Sequence, residues 1–146
     1  MQLVYLKKMT KQDITKSVAI CTESVESFWG VSLADAKEYT DIKVCSIDDP
    51  SYCPDGICIH KGYRALNDWR ITGKEFKSLY KHRDPNIGDI MCVKKDSNKF
   101  IISIIKATDS EYAIIDPFFK GSSDYALINL EDLQLLCSNN KEYASN

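Results

Sequence analysis

Apolar positions along this chain come in short bursts separated by polar turns. Leu3, Val4, Tyr5 and Leu6 predict a first strand over residues 2–8. A polar excursion over 7–17 follows, and then a second short apolar run at 18–21. Thr22 or Ser24 can cap a short helix over 25–29, where Phe28 and Trp29 are expected to plug the core. Residues 41–47 alternate and predict a strand. Residues 48–56 hold two prolines and a glycine and predict turns, and a strand at 57–60 comes next. Phe76, Leu79 and Tyr80 at helical spacing predict a helix within 73–82. Beyond the turn at 84–89, strands are expected at 90–94 and 99–106 around a hairpin turn at 95–98, then at 111–116 and 125–130. Residues 100–105 are nearly all apolar, which predicts a strand covered on both faces. A short helix over 130–136 would close the chain.

The pattern amounts to about seven short strands and two or three small helices. It has no β-α-β rhythm, so a doubly wound sheet is not expected, and an antiparallel barrel is. At 146 residues the length suits one domain, expected over 1–137, with a polar tail or linker at 138–146. No apolar run is long enough to cross a bilayer as a helix, and no basic segment precedes the first apolar stretch. A soluble, cytoplasmic protein is the expectation.

Net charge is −2, but its distribution is uneven. Residues 1–20 hold four lysines and one acid, a balance of +3. Residues 60–83 hold seven lysines or arginines and two acids, a balance of +5. The segments 23–55 and 84–146 carry −6 and −4. If the fold brings the two positive segments together, they form one basic face on an acidic body, and such patches govern binding more than total charge does.

The chemistry of a hydrolase is missing. The two histidines, His60 and His82, stand in no triad context, and no glycine-rich phosphate loop occurs. Asp48 and Asp49 precede Pro50 in an acidic turn, outside both basic segments. No catalytic residues, metal ligands or cofactor are therefore assigned to this chain. The six cysteines are expected as free thiols, since a chain of this length can build a core without disulfides. Cys53, Cys58 and His60 lack the tight paired spacing of a zinc site.

The second basic segment contains residues 61–70, which lack strand alternation but carry side chains suited to base edges. Arg64 and Arg70 can fork onto guanine, Asn67 onto adenine, and Asp68 can accept from a cytosine amino group. Asn67-Asp68-Trp69-Arg70-Ile71-Thr72, followed by Asp84-Pro85-Asn86-Ile87-Gly88-Asp89 and an apolar strand, resembles the N-terminal domain of EcoRII-like restriction endonucleases. Cys53-Pro54-Asp55 adds to the likeness, which covers roughly residues 1–116. The resemblance implies a mainly β fold: a seven-stranded DNA-binding pseudobarrel of the plant transcription-factor type, with short flanking helices. It also implies sequence-specific recognition of double-stranded DNA by two arms in the major groove.

By that likeness the C-terminal arm is residues 61–70, with Arg64, Asn67, Asp68, Trp69 and Arg70 reading bases and Lys61 and Tyr63 beside them. The N-terminal arm is 7–17, with Lys7, Lys8, Lys11, Gln12, Asp13, Thr15, Lys16 and Ser17 as arm and backbone contacts. Phosphate contacts position such arms without specifying sequence. The likeness further implies an effector or specificity role within a type II restriction endonuclease. The target would be CCWGG-like, and a separate C-terminal nuclease domain would use Mg²⁺. The sequence departs from the family in having Asp68 where a glutamate is usual. It also lacks the usual glycine and histidine in its N-terminal arm and puts a lysine-containing, helix-like run after Ile71-Thr72. An RNA-binding or protein-interaction β-barrel is the alternative. RNA binding would call for exposed aromatics on a sheet face, and a protein partner for weak salt dependence.

Overall fold

A computed structural model describes residues 2–35, 39–62, 68–121 and 123–133. The protein is mainly β. Among the described residues it has nine strands: β1 (Leu3–Lys8), β2 (Val18–Ile20), β3 (Thr40–Asp41), β4 (Val44–Ser46), β5 (Cys58–Lys61), β6 (Trp69–Thr72), β7 (Ile90–Asp96), β8 (Lys99–Ile105) and β9 (Tyr125–Asn129). Three short helices lie between them, α1 (Lys11–Thr15), α2 (Thr22–Ser27) and α3 (Tyr112–Ile115), and residues 130–133 are helical as well, where a closing helix was expected. No helix among the described residues is long and apolar enough to cross a membrane.

The strands form two sheets and do not close into a barrel. One has the order β4-β8-β7-β1-β9 and the other β2-β6-β5-β3. The expected single strand at 41–47 is divided between them. Its first part pairs antiparallel with β5, and its second part runs parallel to β8. The two parts differ in burial, with Thr40–Asp41 at the surface and Val44–Ser46 buried throughout, a difference that residue alternation alone does not register.

The main core lies between the sheets. Tyr5, Val93, Phe100 and Ile102 from one sheet meet Val18, Ile59, Trp69 and Ile71 from the other, with Val25, Phe28 and Trp29 of the α2 region filling one end. Phe28 and Trp29 are core plugs, as expected, and their rings meet edge to face at 5.0 Å. A smaller cluster covers the other face of the five-stranded sheet, where Val4, Leu6, Ile90 and Cys92 meet Ile115, Phe119 and Leu133. β1 is thus buried on both sides. β8, expected to be so, instead alternates buried and half-buried positions.

Other local expectations are corrected. Residues 111–116 form α3 and the start of a 3-10 turn rather than a strand, since a four-residue apolar run does not distinguish the two. The helix expected within 73–82 is two 3-10 turns, Lys77–Leu79 and Lys81–Arg83, separated by Tyr80. Cys45 and Cys53 form a disulfide with Cα atoms 4.6 Å apart, because the turn after β4 brings Cys53 back beside it. Cys21, Cys58 and Cys92 are outside any disulfide.

The turn at 84–89 is held from within. Asp89 is buried and accepts from the backbone N–H of Asn86 at 2.7 Å and of Ala107 at 2.9 Å, and it pairs with Lys106 at 3.0 Å. Burial alone would raise its pKa, but the two N–H donors and the ammonium outweigh it and hold the carboxyl below its usual value. The Asp89 carbonyl accepts from Met9, whose own carbonyl accepts from Gly88. The Gly88-Asp89 end of the turn therefore fixes where the chain leaves β1 and starts the N-terminal arm.

Candidate nucleic-acid interface

α1 is a single turn of helix with reciprocal capping. The Thr10 hydroxyl accepts from Asp13 N–H, and the Asp13 carboxylate accepts from Thr10 N–H. The other oxygen of Asp13 accepts from Ala19 N–H at 3.2 Å. That amide lies on the free edge of β2, and the next outward amide, of Cys21, donates to the Tyr5 hydroxyl. Side chains thus occupy the amides an edge strand would otherwise present. α1 is tied along this edge.

Lys7 anchors the same helix. It shares a face of β1 with Tyr5, so it points between the sheets. There its ammonium lies 3.4 Å from Asp13 and over the Tyr125 ring. Lys7 is 2% exposed and Asp13 0%, so neither can touch a phosphate as the sequence suggested. Lys8 points to the opposite face, where it pairs with Asp116 and lies over Phe119. The hydrogen bond to Asp116 raises its pKa. Of the expected N-terminal arm, Lys11, Gln12, Thr15 and Lys16 are exposed, and Ser17 is half-buried.

The second arm is the connection between β5 and β6. Gly62 N–H donates to Asp68 C=O at 2.5 Å and closes its neck. A Cβ on Gly62 would lie 2.1 Å from Asp68 Oδ2, so any larger residue has to displace the Asp68 carboxylate. Tyr63, Arg64 and Asn67 lie outside the described residues. Trp69 is 3% exposed and packs in the core, so it cannot reach a base; it lies on the inner face with Ile71, two residues on. Lys61 is half-buried opposite Trp69.

Arg70 joins the two arms. It lies on the outer face of β6, beside Ala19 of β2 and His60 of β5. Its Nε is 2.9 Å from Asp68 Oδ1, and its Nη1 donates to Ser17 Oγ at 3.1 Å. With the Gln12 amide oxygen turned to the guanidinium, that oxygen accepts from Nη2 at 3.0 Å and Nη1 at 2.5 Å. Of the five guanidinium N–H groups, four thus have protein partners. The two basic segments, separate in the chain, are brought together because β2 pairs with β6.

No protein-family model matches the chain, and no curated protein matches its sequence. The site must be judged by its own residues. The structure adds three that sequence reasoning left out. His60 stands opposite Arg70 with its ring centroid 4.6 Å from that of Tyr39. Lys74 and Lys77 line a groove with Lys16. The charge count of residues 60–83 included both lysines, but only the sheet pairing places them beside the N-terminal arm. A larger groove, about 650 Å³, lies around Trp29, Asp41, Cys53, Lys95 and Phe100. Among the described residues no group of His, Cys, Asp or Glu is arranged to hold a metal, and Cys53 is committed to Cys45 rather than to Cys58 and His60.

Proposed function

We infer that this chain binds double-stranded DNA sequence-specifically through the N-terminal arm and the β5–β6 arm. The observation that carries the reading is Arg70, which ties Asp68 at the base of one arm to Gln12 and Ser17 of the other. A contact network that fixes the relative position of two basic segments suits a ligand gripped from both. Lys11 and Lys16 supply exposed positive charge on the first arm, and the half-buried Lys61 adds a cation at the base of the second. Asp68 and Arg70 have the chemistry to read a C·G pair. Since Arg70 is already engaged, its main contribution is to position both arms. A direct fork onto guanine would exchange Gln12 and Ser17 for the base. On this reading the two sheets correspond to the pseudobarrel of EcoRII-like specificity domains. Cleavage and its Mg²⁺ would belong to a separate nuclease domain.

The test is selection from a randomised duplex pool, followed by fluorescence anisotropy on the enriched sequence, with CCWGG-containing duplex as the first defined probe. Wild type should enrich one motif, and affinity should fall with salt. Arg70→Ala should flatten preference at more than one base-pair position, because it releases both arms. Arg70→Lys should not restore it, since an ammonium cannot bridge Asp68, Ser17 and Gln12 together. Binding without sequence preference, or a preference for single-stranded RNA, would sink the reading.

A further inference from the structure

We propose that a groove between the end of the N-terminal arm and the turn after β6 seats backbone phosphates of duplex DNA, extending the arm's contact onto Lys74 and Lys77, which belong to neither arm. The proposal rests on the duplex-binding reading above and adds a site to it. The groove, about 290 Å³, is lined by Lys16, Ser17, Thr72, Gly73, Lys74 and Lys77 among others.

The charge in this groove is uncompensated. Lys7, Lys8, Arg70, Arg83 and Lys106 each have a carboxylate partner. Among the described residues, Lys16, Lys74 and Lys77 have none. Glu75 lies between the last two in sequence, but it is exposed, does not line the groove and forms no ion pair with either lysine among the described residues. The groove also offers a neutral donor. Ser17 Oγ accepts from Arg70, which leaves its own proton free for a phosphate oxygen.

The walls are fixed by the fold. Gly73 has φ +141°, and a Cβ there would lie 2.6 Å from the Gly56 carbonyl oxygen, so the turn rests directly on backbone beside β5. Phe76 is buried between Lys74 and Lys77 and anchors the segment. Ser17 precedes Val18, which pairs with Ile71, so the groove lies at the Thr72 end of β6. Asp68 and the second arm lie at its other end, four residues away, or roughly 13 Å at strand rise. That separation is well within one turn of duplex, about 34 Å, so one DNA segment can reach both.

The test is the salt dependence of duplex affinity for wild type, the double variant Lys74→Ala/Lys77→Ala, and Lys120→Ala, which removes an exposed lysine near β9. The double variant should lower the slope of log affinity against log salt by roughly one to two units and leave base preference unchanged. Lys120→Ala should keep the wild-type slope. An unchanged slope in a double variant that melts like wild type overturns this inference and leaves the proposed function standing. A wild type with no salt-dependent duplex binding overturns both. A thermal-shift titration with inorganic phosphate separates the remaining source. A phosphate-induced shift that the double variant loses, with no change in DNA slope, would make this a free-anion site and refute the backbone seat.

Discussion

Lys7→Met separates a structural lysine from a DNA-binding one. In the folded protein the ammonium is buried 3.4 Å from Asp13. At an effective dielectric near 20, the Coulomb attraction across that distance is about 5 kcal/mol. Methionine removes this attraction but also removes the cost of desolvating Lys7, and Asp13 keeps its two backbone donors. The net loss should therefore fall near the low end of the range for breaking a buried pair, about 3 kcal/mol. Such a loss is a large fraction of the roughly 5–15 kcal/mol that holds a domain folded. Urea denaturation followed by tryptophan fluorescence will report it, since Trp29 and Trp69 are both buried. The midpoint should drop by about 1–3 M at ordinary urea sensitivity. Lys11→Ala is the counterpart. Lys11 is exposed, so stability should stay within about 0.5 kcal/mol. Its loss should instead lower the salt slope of duplex binding by roughly one unit. If Lys7→Met keeps wild-type stability and loses the slope, the buried-pair account is wrong.

Two further outcomes follow from the turn at 84–89 and the neck of the second arm. Asp89→Ala leaves two backbone N–H groups without their acceptor and should cost about 2–4 kcal/mol by urea denaturation. Because the folded carboxyl titrates below its unfolded value, the Asp89 contribution is present above that unfolded value, near 4, and is lost as pH falls through the folded one. The variant should therefore lose stability less steeply on acidification than wild type, and parallel acid profiles would count against the assignment. Gly62→Ala should push the Asp68 carboxylate away from Arg70 and cost roughly 1–3 kcal/mol in the same assay. A neutral result there would mean the neck is looser than its packing indicates.

Much of the scaffold was legible because its longer strands are short apolar runs bounded by polar turns. β1, β7, β8 and β9 fall where apolar and polar positions predict them, and Ser97 turns the β7–β8 hairpin at φ +56°. The two basic segments were visible from charge, and their adjacency came from the pairing of β2 with β6. The roles of individual charged residues were not legible. Lys7 and Lys8 are neighbours of identical type, yet one faces the core and the other Asp116, and only strand direction and the packing partners distinguish them. Asp13 looks like a surface helix residue until Lys7 and Ala19 are placed beside it. Trp69 closes a polar run, and the signal for its burial is the alternation with Ile71 that begins there. The Cys45–Cys53 pairing was obscured by the apolar neighbours of Cys45, which suggested a plain core thiol.

The Gly62–Asp68 closure has a consequence for how such a protein can change. Five residues connect these positions, and the hydrogen bond beneath them completes the ladder before the tip begins. The sheet is therefore insulated from the content and length of what lies beyond. Doubling a flexible connection adds only about 0.6 kcal/mol of closure entropy. The connection could be replaced or lengthened there while β5 and β6 keep their register. On the proposed duplex-binding function, variation in target would then accumulate in this short stretch, with the hydrophobic interior under no pressure to follow.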